Sequence, residues 1–479
     1  MIRGLLSLYS PNYPNVLIYM LQRVEYRVKP YLKWYWRTSN YQTLIKRGQL
    51  DRTKKARGLL ALLRTGILAE ILIAAWLIYE GIHNSEAGIW GLGITVFVAY
   101  PLVWALLITL PLLLARWLLV IPKEQKLIAN TDQIFVAHKA VKIAVAGSYG
   151  KTTMKELLAV VLAEGKKVAV TPANKNVASS HAIFASHLDG SEEVLVIEYG
   201  EGKPGDVAYF TRTTHPNIGV ITGLAPAHLD HYPSVQAAGE DIFSLATYLN
   251  DQNIYVNGES VALRPFIKPG FAVYDSKEVG EWKIRDIKID YNGTSFTLVG
   301  KDKQLKLKSE LLGRHQVGPL AVVAVIGLSL GLSAKKVQDG IAKTVAFEHR
   351  MQPRQIGGAW VIDDTYNGNI DGIRAGLNLM AELPANQKIY ITPGLVDQGE
   401  ENIRVHQEMG RLIAGAKPDK VILMRNSVTD LIEAGLKEAK FQGELRIEDD
   451  PLNFYSNLDR FVAAGDLVVM QNDWPDNYY

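Results

Sequence analysis

A glycine-rich turn carries the residues with the clearest chemical potential in this 479-residue sequence. The segment before it, KAVKIAVAG, has the pattern of a short buried strand, and the segment after it, TTMKELLAVVLAEG, has the pattern of a helix. The turn itself consists of Gly147, Ser148, Tyr149, Gly150, Lys151, Thr152 and Thr153. Glycines let backbone N–H groups close around phosphate, and the following helix N-terminus adds a favourable field. The pattern predicts a nucleotide-phosphate site in which Lys151 contacts the outer phosphates and Thr152 binds Mg²⁺.

The turn is shorter than the general phosphate-binding motif G-x-x-x-x-G-K-[ST], because Val145 stands where that motif has its first glycine. The remaining form, G-x-x-G-K-T-T, resembles the turn of the Mur ligases, the ATP-dependent amide-forming enzymes of peptidoglycan assembly. Over about residues 123–479, further segments resemble motifs of that family in the same order: EEVLVIEYGEGKPGDVAYF, HPNIGVITGLAPAHLDHY, LLGRHQVGPLAVVAVIGLSLGLS and FEHRMQP.

Two later segments indicate which type of Mur ligase the sequence resembles. AWVIDDTYNGNIDGI resembles the Asp-Asp-Ser-Tyr-Asn-Ala-Asn-Pro stretch of the MurF type, which joins D-alanyl-D-alanine to a UDP-muramoyl tripeptide. ITPGLVDQGEENIRVHQEMG resembles the next strand and loop of that type. The family as a whole uses ATP and Mg²⁺, so the resemblance implies both as cofactors.

The resemblance also implies roles for matching residues in amide formation. In such a reaction a γ-phosphoryl passes to a carboxylate, and an amine then displaces phosphate from the acyl phosphate, so converging negative charges need cations. The implied catalytic residues are Lys151, Glu198, His228 and Arg350. The implied nucleotide contacts are the seven turn residues, Arg350 and Asp364, and the implied Mg²⁺ ligands are Thr152, Glu198 and His228. The implied substrate contacts are Asn174, Asn176, Tyr366 and Asn367.

Each of these residues also has a purely structural interpretation. A glutamate that ends a strand, such as Glu198, is commonly solvated or caps a helix, and a single histidine such as His228 is commonly structural. Arg350 could form a surface ion pair, Asp364 could cap a turn, and the asparagines of TPANKNVASS could form turns.

The largest departure from the family pattern is at residues 1–122, which hold predicted membrane segments where MurF-type enzymes have a globular domain that binds the UDP-sugar. Three further departures lie within residues 123–479. Mur ligases usually carry a carbamylated lysine shortly after the histidine, but no lysine lies between His228 and Phe243. A carboxylate is also a singly charged oxygen donor, so we hypothesise that Glu240 replaces the carbamate and binds metal; the alternative is that it only decorates a helix. Gln316 and Pro319 stand where the family prefers asparagines near the adenine. The ending GDLVVMQNDWPDNYY lacks the usual Lys-Gly-Ser-Arg pattern.

The distribution of charge divides the chain. Residues 1–57 hold 12 Lys/Arg and 2 Asp/Glu, a net charge of +10, whereas the remainder has a net charge of −7. A basic N-terminal segment before an acidic body indicates an anionic surface as partner, and the apolar segments that follow favour membrane lipids over nucleic acid. The chain has no cysteine, which excludes disulfides, thiolate metal sites and a cysteine nucleophile and agrees with a cytoplasmic catalytic body.

Two apolar segments predict membrane spans, at about residues 65–82 and 88–121. The second would reach about 51 Å as one helix, so we expect it to tilt, to kink at Pro101 or Pro111, or to break into two short spans. Basic residues flank both segments and are missing from the loop between them, so the positive-inside rule predicts a hairpin with both ends in the cytoplasm. The predicted location is the cell membrane, as a multi-pass protein with cytoplasmic catalytic domains.

The mixture of aromatic and basic residues at 15–37 predicts a helix lying in the lipid headgroup region; an ordinary amphipathic core helix is the alternative. The predicted division is a membrane-anchoring region at 1–122, an ATP-binding central domain at 123–345 and a C-terminal domain at 346–479. We expect an α/β fold in which a P-loop, Mur-ligase-like central domain precedes a Rossmann-like domain. Alternating runs at 281–313 predict a β-rich insert, and 347–353 predicts a hinge.

The predicted function is ATP-dependent ligation of D-alanyl-D-alanine or a related amine to a muramoyl peptide that is UDP-linked or lipid-linked. Two alternatives stay open. One is a Mur-like ligase with a different amine substrate, and the other is a membrane-tethered nucleotide-binding scaffold without ligase activity.

Overall fold

The computed structural model describes residues 8–37, 50–172, 176–225, 232–366, 368–395, 398 and 401–472. The chain divides into two compact units, residues 1–125 and 126–479.

The first unit is helical. Its helices are α1 (Tyr13–Arg23), α2 (Val28–Arg37), α3 (Lys54–His83), α4 (Ala87–Leu107), α5 (Thr109–Ala115), a π-helical turn (Arg116–Val120) and the start of α6 (Ile121–Ala137). The single helix expected over 15–37 is instead two helices, because Glu25 and Tyr26 adopt left-handed backbone angles (φ 52° and 59°) that interrupt it. Pro101 is accommodated inside α4, and the helical run is interrupted at Ile108.

The long helices are apolar on faces that the unit itself leaves uncovered. Two helical stretches, Lys54–His83 and Ala87–Ala137, are long and apolar enough to cross a membrane. Only 17% and 28% of their most apolar windows are buried within the structure. A core helix of a soluble protein would be buried over most of that surface. The exposed apolar area of these helices is therefore expected to contact something outside the unit. Length and composition alone do not establish a span, and membrane insertion therefore remains a prediction.

Helix α1 packs against the two long helices at one end of the hairpin. Leu17 and Leu21 join an apolar cluster with Leu63 and Ile108, and the Tyr13 hydroxyl donates to the Pro101 carbonyl (2.9 Å). This burial matches the amphipathic core helix considered as the alternative for this segment. Contact of the segment with lipid headgroups stays a prediction.

Glycines bring α3 and α4 into close contact. A Cβ built on Gly93 would lie 2.7 Å from Ile78 Cγ1 and 2.9 Å from the Ala74 carbonyl oxygen, whereas a Cβ on Gly91 would meet nothing within 4 Å. We therefore expect Gly93→Leu to separate the two helices and to lower the melting temperature of the detergent-purified protein, since overpacking typically costs about 1–3 kcal/mol. Gly91→Leu, on the same helix, is the matched control. Equal losses of melting temperature in both variants would contradict this packing.

The second unit contains two sheets. The strands of the first are β1 (Val141–Ala146), β2 (Val168–Val170), β3 (Val194–Glu198), β4 (Ile218–Ile221), β5 (Ile254–Asn257), β6 (Ala272–Tyr274), β7 (Glu278–Val279), β8 (Trp282–Asp290), β9 (Gly293–Val299) and β10 (Gln304–Ser309). Its helices are α7 (Lys151–Leu162), α8 (Ala178–Ser186), α9 (Asp206–Thr214), α10 (Val235–Tyr248), α11 (Val317–Ser329) and α12 (Ala334–Ala342).

The first sheet has the order β10-β9-β8-β7-β6-β5-β4-β1-β3-β2. Strands β1 to β6 are parallel, and β7 to β10 extend them as antiparallel hairpins, which is the β-rich insert expected at 281–313. Alternate residues of β1 enter two separate cores, with Ile143 and Val145 on one face and Ala144 and Ala146 on the other. Because β1, β3 and β4 are parallel neighbours, the loops after all three emerge at one edge, where such sheets bind ligands.

The second sheet has the order β11-β12-β16-β13-β14-β15 and is parallel except for β11. Its strands are β11 (Gln352–Ile356), β12 (Ala359–Asp364), β13 (Lys388–Thr392), β14 (Lys420–Met424), β15 (Glu444–Glu448) and β16 (Leu467–Gln471). The helices around it are α13 (Ile370–Glu382), α14 (Asn402–Ala416), α15 (Thr429–Glu438) and α16 (Pro451–Ser456). The Rossmann-like C-terminal domain expected from the sequence thus contains a mainly parallel sheet with helices around it.

Candidate active site

The glycine turn lies between β1 and α7 and is braced by the end of β4. Gly147 has φ +137°, and a Cβ there would lie 2.5 Å from Thr222 Oγ1, so the close approach requires glycine. The Thr222 hydroxyl donates to the carbonyl of Tyr149, and Ser148 N–H donates to the Gly223 carbonyl (2.8 Å). Gly150, at φ +77°, precedes the first residue of α7. The strand–turn–helix unit predicted from the sequence is therefore present, with Thr222 as an additional brace.

Lys151 is buried and points back into the turn. Its Nζ donates to the Gly147 carbonyl and lies 2.7 Å from Glu201 Oε2. Side-chain exposure is 9% for Lys151 and 5% for Glu201, so the pair is shielded from solvent. The lysine is thus held at the phosphate-binding turn by a carboxylate that the sequence patterns did not single out.

Glu198 ends β3 and is almost completely buried. Its Oε1 accepts from Thr152 Oγ1 and from Asn176 Nδ2, both at 3.2 Å, and Lys155 Nζ lies 3.4 Å from Oε2. These neighbours hold the carboxylate beside the first residues of α7.

His181 supports the backbone behind this carboxylate. Its Nε2 lies 2.9 Å from the Glu198 carbonyl oxygen. Burial lowers the His181 pKa to about 4, which this hydrogen bond only partly opposes, so the ring is neutral at pH 7. Because a carbonyl can only accept, Nε2 carries the proton and donates it to Glu198.

The residues present suit a divalent cation. In the part of the chain that the structure describes, Glu198 Oε2 accepts no hydrogen bond although it is buried, and the Thr152 hydroxyl lies beside the same carboxylate. Carboxylate and hydroxyl oxygens are donors that Mg²⁺ prefers, and Mg²⁺ commonly completes its shell with phosphate oxygens and water. No group of three or more His, Cys, Asp or Glu side chains that could hold a metal occurs among the described residues.

A cleft next to the turn is lined by residues from the domains of both sheets. The Arg350 guanidinium stacks over the Tyr366 ring, 4.2 Å from its centroid. The lining residues are Tyr149, Gly150, Thr153, Leu311, His315, Gln316, Phe347, Arg350, Met351, Asp364, Tyr366, Gly368, Asn369, Gly372 and Ala375. The cleft thus brings three turn residues together with three predicted residues from the C-terminal sheet and its approach: Arg350, Asp364 and Tyr366.

The approach to this cleft has an unusual backbone. His349 and Met351, on either side of Arg350, adopt left-handed angles (φ 59° and 47°). The ring of His349 is fixed by Asp363 (Nδ1 to Oδ2, 2.9 Å), and Tyr366 N–H donates to the His349 carbonyl (3.0 Å). Non-glycine residues in this region are strained unless their surroundings hold them, so these contacts fix the position from which Arg350 projects.

A hydrogen bond also connects the turn to the second sheet's first helix. The Tyr149 hydroxyl donates to Asp371 Oδ2 (2.9 Å), in the first turn of α13. Burial, reinforced by the Asp371 charge, raises the Tyr149 pKa far above its ordinary value, so the hydroxyl stays protonated as the donor.

Not every predicted site residue is placed in the site. Asn174, His228 and Asn367 lie outside the described residues. Glu240 is exposed on α10 and accepts from Gln236 on its own helix (3.1 Å), and no described hydrogen bond or ion pair joins it to Thr152 or Glu198. Its neighbour Asp241 turns inward and accepts from the Tyr232 hydroxyl (2.7 Å). Metal binding by Glu240 stays a prediction that this placement does not support.

The sequence patterns did not identify three buried residues of the site. They are Lys155, His181 and Glu201. Lys155 follows Lys151 by four residues, which places both on one face of α7, and that spacing was a usable signal. Glu201 follows Glu198 by three residues in a loop, and neither it nor His181 has a pattern that marks it.

Comparison with known families identifies this α/β phosphate-binding architecture. The Mur ligase middle domain matches residues 145–327, and the Mur ligase glutamate ligase domain matches residues 349–471. The chain therefore belongs to the Mur ligase family.

Relatives and solved structures agree with this assignment. The UDP-N-acetylmuramoyl-tripeptide–D-alanyl-D-alanine ligase of Escherichia coli K12 is 26% identical over 290 residues, which cover 58% of this chain and 63% of that protein. MurF from Acinetobacter baumannii has the same fold, with a TM-score of 0.63 at 19% identity over 73% of this chain and 77% of that one. The ADP complex of MurF from Thermotoga maritima gives a TM-score of 0.63 at 20% identity, covering 73% and 80%.

Asp364 makes the stability of the site depend on pH. Burial raises its pKa to about 7, although hydrogen bonds from Gln471 (2.8 Å) and Met351 N–H (3.2 Å) and the charge of Arg350 oppose the shift. The folded state therefore retains a proton that the unfolded chain releases near pH 4. The resulting stabilisation is present at low pH and is lost as the pH rises through 7.

We expect the stability of the wild type relative to Asp364→Asn to fall by up to roughly 4 kcal/mol between about pH 4 and pH 8, and then to level off. Melting temperatures of both proteins, measured in steps across this range without nucleotide, give the difference. All other titrating groups are present in both proteins, so their contributions cancel in the difference. Parallel curves for the two proteins would show that Asp364 does not titrate in this range.

Proposed function

We propose that this chain is an ATP-dependent ligase that forms an amide bond on muramoyl-peptide precursors through an acyl phosphate. The observation that carries the proposal is the convergence of Lys151, Thr152 and Glu198 at one sheet edge. Arg350 and Asp364 face the adjoining cleft. Phosphoryl transfer to a carboxylate requires cations around the transferring group and oxygen ligands for Mg²⁺, and this edge supplies both.

In the proposed mechanism, backbone N–H groups of the turn and Lys151 bind the outer phosphates, and Arg350 reaches them from the C-terminal domain. Asp364 contacts the nucleotide. Thr152 and Glu198 would hold Mg²⁺, which would supply positive charge next to the transferring group. A carboxylate oxygen of the acceptor attacks the γ-phosphorus and releases ADP. The amine nitrogen then attacks the acyl carbon, and phosphate leaves as the nitrogen loses its proton.

The relatives' names motivate the substrate class. We propose a muramoyl peptide as the acceptor and D-alanyl-D-alanine or a related amine as the donor, with Asn174, Asn176, Tyr366 and Asn367 as substrate contacts. The chain spans 63% of the length of the Escherichia coli relative, so the substrates of that relative are a proposal for this chain.

The apolar helices support a membrane location. We propose that they anchor the chain in the cell membrane as a multi-pass hairpin, with membrane lipids as partners and the catalytic unit on the cytoplasmic, ATP-containing side. Anchoring raises the effective concentration of an acceptor that is itself in the membrane, so a lipid-linked muramoyl peptide competes with a UDP-linked one as the substrate.

A membrane-tethered nucleotide-binding scaffold is the second candidate. Two observations favour it, and the first is that the Lys151 ammonium is already neutralised by the buried Glu201 carboxylate. The family's carbamylated lysine also has no counterpart between residues 228 and 243. A scaffold would bind nucleotide without turnover that depends on an amine.

Phosphate release by the detergent-purified full chain, with ATP and Mg²⁺, separates these functions. We expect release only when D-alanyl-D-alanine is combined with a UDP-muramoyl tripeptide or with its lipid-linked counterpart, and the faster pair identifies the carrier. Lys151→Ala should reduce release by at least about a hundredfold, since it removes a charge aimed at the transferring phosphoryl group.

Lys166→Ala is the matched control, because Lys166 pairs with the exposed Glu193. Melting curves of both variants report whether they are folded. ADP binding without stimulated phosphate release by either pair would reject these substrates. Dependence on another amine would then indicate a different ligase, and no dependence on any amine would indicate the scaffold.

A further inference from the structure

The Lys151–Glu201 pair occupies the position where a nucleotide phosphate would need the lysine. Lys151 Nζ is shared between the Gly147 carbonyl and the Glu201 carboxylate, and both side chains are less than a tenth exposed. Within the described ranges, Lys151 is the only basic side chain that forms an ion pair with Glu201. If the lysine turns toward a phosphate, the carboxylate therefore loses its compensating charge.

Glu201 cannot easily retreat to solvent, because its loop is anchored on both sides. Before it, Gly200 N–H donates to the Asn176 carbonyl (2.9 Å). After it, the Tyr232 hydroxyl oxygen lies 2.9 Å from the Lys203 carbonyl oxygen and 2.7 Å from Asp241 Oδ2, and the Asp241 carboxylate accepts from Val207 N–H (3.4 Å). The carboxylate is thus fixed beside the turn, three residues after Glu198.

We propose that Glu201 is the counter-ion that Lys151 exchanges for a nucleotide phosphate, and that it thereby makes nucleotide binding depend on Mg²⁺. Nucleotide phosphate without metal would leave Glu201 buried, unpaired and close to further negative charge, and an unpaired buried charge is costly. A divalent cation bound with the nucleotide would restore the charge balance around Glu201. This inference rests on the proposed nucleotide site and deepens it by assigning the basis of metal dependence to one residue.

A purely structural role makes a different prediction. If the ion pair only stabilised the turn, replacing Glu201 would lower stability and would weaken ADP binding equally with and without Mg²⁺. The ratio of the two dissociation constants therefore distinguishes an exchangeable counter-ion from a structural ion pair, because a uniform loss of affinity cancels in it.

The experiment is calorimetric titration of the detergent-purified full chain with ADP, once with MgCl₂ and once with EDTA. We expect Glu201→Gln to tighten metal-free ADP binding by about tenfold, and to reduce the ratio of the EDTA and MgCl₂ dissociation constants by a similar factor. Asp206→Asn is the matched control: it removes a carboxylate charge at the start of α9, directly after the same loop, while keeping an oxygen that can accept from Lys203 N–H, and it should preserve the wild-type ratio.

A Glu201→Gln protein that melts cooperatively and retains the wild-type ratio would overturn the inference. Glu201→Asp provides a second variant, because it keeps the charge and withdraws it by one methylene group. Glu201→Asp should reduce the ratio of the EDTA and MgCl₂ dissociation constants by a smaller factor than Glu201→Gln does. A wild-type ratio in Glu201→Asp would also contradict the counter-ion role of Glu201. The titration needs no acceptor or amine, so a failure of this inference is distinct from a failure of the ligase, which phosphate release tests.

Discussion

A buried carboxylate beside a phosphate-binding turn is the constraint on which this site depends. Glu198 is almost completely buried, and a charge in that position must be compensated by polar neighbours. The structure supplies them from two segments: Thr152 and Lys155 from α7, and Asn176 from the loop before α8, while His181 of α8 holds the Glu198 backbone. Parallel pairing of β1 and β3 sets the distance between turn and carboxylate. The sheet topology therefore also determines the electrostatics of the site.

Charge balance also explains why the site is built from lysine–glutamate pairs. Lys151 faces Glu201 and Lys155 faces Glu198, so each buried cation has a buried anion next to it. The balance shifts when polyanionic phosphates enter, and the cleft provides for this with Arg350, which stacks on Tyr366 rather than forming an ion pair among the described residues. A guanidinium held by an aromatic ring keeps its donors available for phosphate.

The sequence predicted those parts that depend on local pattern. The strand–turn–helix unit, the position of Glu198 at the end of its strand, the β-rich insert and the Rossmann-like second domain follow from periodicity and from the family's motifs. The parts that depend on helical phase or on contacts between distant segments were missed. Glu240 and Asp241 differ by one position, about 100° around α10, and only Asp241 shares the buried face with Ala238, Ile242 and Leu245. The break at Glu25 and Tyr26 contains neither glycine nor proline, so no turn signal marked it.

The hydrogen bond from Tyr149 to Asp371 links the phosphate-binding turn to the other domain. Tyr149 lies within the turn itself, and Asp371 lies in the first turn of α13, so any rotation that separates the two sheets must break this bond. Opening of the cleft would consequently remove one of the contacts that hold the turn. If nucleotide binds at this turn as proposed, its release and the opening of the cleft would be coupled through this hydrogen bond.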